Sequence, residues 1–394
     1  MADSAARRLV GDERVLLLVY VAVAALFTTD TKLAPHLTWS RIAFFGYVVA
    51  FAVALRFPNR GLGALTAVAF AVVVPTVYLA WMAHGQPEVS VVVDGARDFL
   101  QTGSPYLASP DSRYDYRPYL PAIFVFGLPA ATLYSHLLDP RLLALAFLVA
   151  CLTASVRLMG LRHQVRQVEA GRVVKDLALT LSCPFVAVSI ATSFIDIPQA
   201  ALTVLSIAAI SRGRGIAGGI ATGLCLAMKP TALCALFVLF LFARVRHSSA
   251  TALRFGVTSL TTAALLIGPF VVSAPGSIWD NALLFPLGRI GPESPAQSPF
   301  PGVLLREAGL PGPAVTTLAA VVGLAYAVVC LRRMNGSALR AAGLLAVGLT
   351  LLFMMAPYSR TGYLVLPLIV YFSIRAMRPG ATTAADMTRL VKRR

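Results

Sequence analysis

The sequence is poor in charge. Asp, Glu, Lys and Arg make up 13% of its residues and hydrophobic residues 58%, where a soluble domain carries about 25% charged residues. Such a chain has too little polar surface to stay in water, which excludes an ordinary soluble protein. Acidic residues are the scarcest charge, 17 against 34 Lys and Arg, for a formal net charge of +17. In a soluble chain that excess would point to nucleic acid. No basic stretch here is interleaved with exposed aromatics, so no nucleic-acid partner is expected. The five cysteines, Cys151, Cys183, Cys225, Cys234 and Cys330, all lie in apolar runs and form no CxxC pair. That excludes a disulfide framework or a cysteine metal site. The first residues, MADSAARRLVGDER, lack the form of a cleaved signal peptide, so the first apolar run is expected to remain as a helix. There is no HExxH, no P-loop, no serine elbow and no GxGxxG on a strand–helix frame, and the histidines are scattered. Neither a metal centre nor a cofactor is expected.

What is present is a succession of apolar runs. They fall near 14–29, 41–57, 63–83, 118–138, 141–159, 176–194, 197–210, 215–228, 230–243, 255–273, 314–331, 338–356 and 362–377. Roughly 20 residues per span then predict an all-α polytopic membrane protein of about 11–13 helices, forming a single transmembrane domain over 1–394. Basic residues gather in the connections 157–175 (Arg157, Arg162, Arg166, Arg172, Lys175), 212–214, 244–254 and 332–340, and in the tail 379–394. By the positive-inside rule these are cytoplasmic. Counting back from the tail puts 274–313, 357–362, Lys229 and 194–199 outside. Counting forward from a cytoplasmic N-terminus puts 84–117 outside as well. The two counts collide between 118 and 160, where an odd number of crossings is needed and two runs are seen. Either one run is re-entrant, or an N-terminal run is not a span, or 157–175 is external against its charge.

The external loop 84–117 concentrates acid: Glu88, Asp94, Asp98, Asp111 and Asp115. It holds a mixed, helix-compatible stretch over 89–101. A carboxylate just above a membrane can act as general base on a hydroxyl nucleophile. Asp98 and Asp111 read as solvating the loop, whereas Asp94 and Glu88 are candidates for function. Lys229 lies between two apolar runs, where a lone ammonium needs a partner or a wet cavity, and an anionic phosphate would serve. Asp196 and Gln199, in ATSFIDIPQAAL, put polar groups at the outer end of a span pair; Asp196 also suits a helix start. Arg360, in MMAPYSRTGYLVLP, and Arg117, in YDYRPYLP, could clamp a phosphate or sugar from above.

Four segments in order resemble the GT-C type membrane glycosyltransferases, most closely the GT87 family of polyprenyl-phosphate-mannose-dependent mannosyltransferases. VVVDGARDFLQTGSPY with YDYRPYLPAIFVFGLPA is similar to that family's external loop through Gly103, Pro105, Tyr106, Tyr116 and Pro118, with Arg117 in place of the first expected proline. TSFIDIPQAALTVLSIAAISRGRGIAGGIATGLCLAMKP matches its polar turn, basic turn and lysine, with Pro230 directly after Lys229. SPFPGVLLREAGL and APYSRTGYLVLPL resemble two later loops. Pro357, Ser359 and Tyr363 fit the last of these, and the family's Trp and His are absent. The family's catalytic aspartate should lie several residues before Asp94, close to Glu88.

The resemblance implies a GT-C-like bundle whose cavity opens to the outer face beneath a long first external loop, 84–117, with 274–313 as a second. It implies transfer of a sugar, mannose or a related pentose, from a polyprenyl-phosphate donor to a cell-envelope glycolipid or polysaccharide at the plasma membrane. Glu88 or Asp94 would be the base, Lys229, Arg360 and Arg117 would bind the donor phosphate, and Tyr106, Tyr116, Asp196, Gln199 and Tyr363 would bind substrate. Two other readings stand beside it. A transporter or lipid flippase would use Lys229 and Asp196 as relay charges in a midplane cavity; an inactive GT-C-like protein would keep only the fold.

Overall fold

The computed structural model describes residues 12–378, apart from 59, 134–135, 161–165, 293–295 and 297. The basic tail expected over 379–394, and Arg162, lie outside the described residues. Every regular element among the described residues is a helix. Six helices are long and apolar enough to cross a membrane: Ala34–Arg56, Leu62–Trp81, Pro140–Met159, Ser249–Ser273, Gly312–Arg333 and Ala338–Met355. A bent pair, Ala170–Leu181 and Pro184–Thr192, makes a seventh if it is one span. Shorter apolar helices, among them Ile197–Ser211 and Gly215–Met228, fill the interior.

Local chemistry sets the ends and the bends. Asp12, Asp139, Ser248 and Ser337 cap their helices through side-chain oxygens that accept early backbone N–H groups. The bent pair turns by 67° at Cys183-Pro184, because proline supplies no N–H and clashes with the preceding turn. In an apolar surround the backbone oxygens near such a break need donors. Tyr20 Oη donates to the Leu179 carbonyl at 2.9 Å, and Tyr47 Oη donates to the Ser182 carbonyl at 2.5 Å. A π turn at Ala69–Val73 inside Leu62–Trp81 receives Trp39 Nε1 on the Ala71 carbonyl at 2.8 Å. Glycine makes the tightest helix pair. A Cβ added at Gly219 or Gly223 would lie 2.7 Å from the Phe255 carbonyl oxygen or 2.6 Å from that of Ser259. Small residues four apart thus let Gly215–Met228 sit directly on Ser249–Ser273.

The bundle has two chemically distinct ends. At one, Gln86 N donates to the Thr192 carbonyl (2.8 Å) and Leu120 N donates to the Met228 carbonyl (2.9 Å), and Lys229 meets Asp196. At the other, Arg212 Nε donates to the Leu158 carbonyl (2.5 Å) and Arg246 donates to the carbonyls of Ser211 (3.1 Å) and Gly336 (2.5 Å). Arg172 donates to the Arg378 carbonyl at 2.5 Å. The basic connections therefore gather at one end, and the long loops with the candidate site at the other.

This arrangement removes the collision between 118 and 160. The run 118–138 is no continuous span: it is a 3₁₀ segment, Pro121–Phe126, followed by the short helix Leu128–Leu133. Pro118, Pro121 and Pro129 interrupt it. It begins beside Met228 and ends at Asp139, next to Arg141, whose guanidinium donates to the carbonyls of His84 (2.6 Å), Leu79 (3.1 Å) and Ala191 (3.1 Å). Both of its ends lie at the cavity end, so it is re-entrant. The connection at 157–175 then stays with the other basic turns.

Candidate active site

A cavity of about 430 Å³ opens at the end opposite the basic turns. Two charge pairs stand in its wall. Lys229 Nζ lies 2.6 Å from Asp196 Oδ1, and Arg360 pairs with Glu88 Oε1. Each partner comes from a different break in the bundle. Glu88 is in the first turn of the loop helix Pro87–Thr102. Asp196 follows the turn after Thr192, where Phe194 is buried with a φ of 93°. Such a backbone costs a non-glycine residue about 1–3 kcal/mol, and strain of this kind concentrates at functional sites. Lys229 has extended backbone between Gly215–Met228 and the 3₁₀ turn Pro230–Ala232. Arg360 is extended before the 3₁₀ turn Thr361–Leu364. Irregular backbone inside a membrane protein is tolerated where it lines a cavity.

The two pairs differ in saturation. The Lys229 ammonium sits between two rings, 4.9 Å from the Tyr363 centroid and 5.9 Å from that of Tyr119, which adds cation–π attraction to the carboxylate. Glu88 spends one oxygen on Arg360. Its other oxygen, Oε2, is buried with no hydrogen-bond partner among the described residues. Behind it Gln86 Nε2 touches His36 Nε2 at 2.5 Å and Thr192 Oγ1 at 3.4 Å. Glu88 Oε2 is therefore an acceptor with no donor among the described residues, and an unpaired buried oxygen is costly.

Of the candidate residues, Glu88, Asp196, Lys229, Arg360 and Tyr363 line this cavity. Asp94 does not: it lies six residues after Glu88, about 120° around the helix at 3.6 residues per turn. It pairs with Arg97 at 2.8 Å and borders a neighbouring recess near Arg141, which meets this cavity across Gln86, Pro87 and Tyr114. Arg117 is 5% exposed and binds Asp98 at 3.0 Å; its backbone N–H donates to Asn281 Oδ1 at 2.6 Å. Tyr116 stacks on Phe285, centroids 4.2 Å apart. Tyr106 donates its hydroxyl to the Tyr119 carbonyl at 2.9 Å. These three residues tie the loop 84–117 to the loop 274–313 and to the re-entrant segment, so they build the roof and leave the cavity wall to others. Asp98 is the half-buried partner of the buried Arg117 and does more than solvate the loop. Asp115 accepts from the Ser112 and Asp111 N–H groups at 2.7 and 3.2 Å; the Ser112 hydrogen bonds hold its carboxyl below the usual carboxylate range. Gln199 is buried, bonds Thr231 Oγ1 at 3.2 Å and does not line the cavity.

Sequence reasoning overlooked Tyr119, His36 and Gln86 in the wall. It also overlooked the Asp139–Arg141 pair at 2.7 Å, which clasps the helix ends beside it. Among the described residues no group of three His, Cys, Asp or Glu side chains is gathered for a metal. The five cysteines are unbridged.

The fold is of the GT-C type, a helical membrane bundle. The apo crystal structure of ArnT from Cupriavidus metallidurans is similar, with a TM-score of 0.52 at 16% sequence identity, over 82% of this chain and 61% of that one. This chain thus spans somewhat under two thirds of that neighbour's length. The description "Glycosyltransferase family 87" matches residues 119–357, well over half of the sequence, and the chain belongs to that family. No curated protein sequence matches it.

Proposed function

We propose that the protein transfers a sugar, mannose being the leading choice, from a polyprenyl-phosphate donor to a cell-envelope glycolipid or polysaccharide. The reaction takes place on the extracytoplasmic face of the plasma membrane. The observation that carries this reading is the pairing of Glu88 with Arg360 in the same cavity wall as Lys229 and Asp196. The acceptor hydroxyl attacks the anomeric carbon and gives its proton to Glu88 Oε2 as the bond from that carbon to the phosphate oxygen breaks. The phosphate leaves with the electron pair and already anionic, so no general acid is needed. Attack on the face opposite the leaving group inverts the anomeric centre.

Lys229 and Arg360 receive the phosphate, Lys as a point charge and Arg as a planar fork. As Arg360 turns to the phosphate it releases Glu88, whose carboxylate gains basicity when its cation leaves. A positioned base of this kind contributes about 10²–10⁴-fold to rate. The mannose donor and the acceptor class come from the family resemblance. The external placement rests on the cavity lying opposite the basic turns.

The roof also weighs against a transporter. That reading leaves the acidic loop dispensable, whereas this loop helix supplies Glu88 to the cavity. The test is to incubate membranes containing the full chain with radiolabelled polyprenyl-phosphate-mannose, and in parallel with a pentose donor. Label entering a glycolipid or polysaccharide fraction only when the chain is present is the expected result. No transfer from either donor would overturn the proposal and direct attention to lipid-flipping assays.

A further inference from the structure

A second binding feature lies at the basic end and along the bundle's flank, away from the cavity. A groove of about 920 Å³ runs between Ala338–Met355 and the Val365–Ala376 helix. Its walls are apolar, with Leu344, Val347, Leu368 and Phe372 among them. At its basic end stand Arg340 and Arg378. There it meets a second cavity of about 480 Å³ bearing Arg212, Arg246 and again Arg378. Ser337, Leu339 and Arg378 belong to both walls, so the two spaces adjoin.

The charge is one-sided. Among the described residues no Asp or Glu lines either space. Arg212 and Arg246 hold backbone carbonyls of Leu158, Met159, Ser211 and Gly336, which fixes their guanidiniums without neutralising them. The guanidiniums of Arg340 and Arg378 make no ion pair with a described residue. An apolar slot that ends in four unneutralised arginines is complementary to one kind of molecule: an amphiphile with hydrocarbon chains and an anionic head.

We infer that this site binds an anionic phospholipid of the bilayer, acyl chains in the groove and phosphate headgroup against Arg340, Arg378, Arg212 and Arg246. Basic pockets between helices at a membrane's anionic face take lipid headgroups in this way, and the arginine fork fits a phosphate in a bidentate manner. The site is separate from the charge-paired cavity and does not depend on the reading of that cavity.

The test uses the full chain, purified in detergent and stripped of lipid, with bound lipid counted by native mass spectrometry. Phosphatidylglycerol and phosphatidylcholine of the same acyl chains are compared, with free glycerol phosphate as competitor. Phosphatidylglycerol is expected to bind at least tenfold more tightly, and glycerol phosphate is expected not to displace it. The double variant R340Q/R378Q should lose about 25-fold in phosphatidylglycerol affinity, on the order of fivefold per arginine. Gly343→Leu should weaken both lipids, since Gly343 lines the slot and a Cβ there already touches the Tyr371 ring at 3.6 Å, so a longer side chain takes up groove space. Equal binding of the two lipids by the wild-type protein would overturn the inference, whether or not the variants fold. So would unchanged affinity in R340Q/R378Q, or displacement by glycerol phosphate, which would mark a headgroup site with no lipid groove.

Discussion

The two ends of this bundle handle positive charge in opposite ways. At the cavity end each buried cation has a carboxylate: Lys229 has Asp196, Arg117 has Asp98 and Arg141 has Asp139. At the basic end Arg212 and Arg246 lean on backbone carbonyls, and both are exposed. Burial accounts for the difference. Arg141 is 1% exposed, Arg117 5% and Lys229 8%, and a charge removed from water needs a counter-charge and hydrogen bonds. An arginine at the aqueous rim needs neither, and there it serves orientation in the membrane. Each of these buried cations thus takes a carboxylate of its own, and Glu88 differs in keeping one buried oxygen with no partner among the described residues.

Breaking the deepest pair should have the largest effect. Lys229→Met leaves Asp196 buried without its cation and is expected to destabilise the protein by about 3–5 kcal/mol, seen as a lowered melting temperature in detergent. Adding Asp196→Leu should recover most of that stability, and transfer activity should stay lost. A single variant as stable as wild type would show that water, and not Lys229, satisfies Asp196.

The roof pair should matter less. Arg117→Met removes the contact to Asp98, which remains partly wetted at 22% side-chain exposure, and is expected to cost about 1–3 kcal/mol. Its signature would be faster proteolysis within 84–117, with the helical bundle intact. The smallest change belongs to the basic end: Arg244→Gln, exposed and in no ion pair with a described residue, should shift stability by no more than about 0.5 kcal/mol. A shift as large as that of Arg117→Met would erase the contrast between the ends.

Hydropathy and charge made the membrane bundle and its two-ended polarity legible in the sequence. They also singled out Lys229, Asp196, Glu88 and Arg360 as separate anomalies, each a charge beside an apolar run. Their pairing was not legible, because it joins residues 33 and 272 positions apart. Glu88 and Asp94 could not be ranked, since the choice depends on which face of one helix looks into the cavity. Tyr106 and Tyr116 drew attention through the family resemblance and Arg117 as a possible phosphate clamp, and it is partners from Asp98 to Phe285 that commit them to the roof. The sequence left open which run between 118 and 160 was re-entrant, because hydropathy counts the Ile and Phe of 118–138 and ignores what its prolines do to the helix. Tyr119, His36 and Gln86 carried no signal beyond their polarity, and only the fold brings them to the wall.

The central claim is that Glu88, and not Asp94, is the base. The most direct test is sugar transfer from radiolabelled polyprenyl-phosphate-mannose by membranes carrying Glu88→Gln or Asp94→Asn at matched expression. Glu88→Gln should lower the transfer rate by about 10²–10⁴-fold, while Asp94→Asn should stay within about threefold of wild type, as expected of a half-exposed ion pair. The reverse ranking, with Asp94→Asn inactive and Glu88→Gln active, would contradict the account.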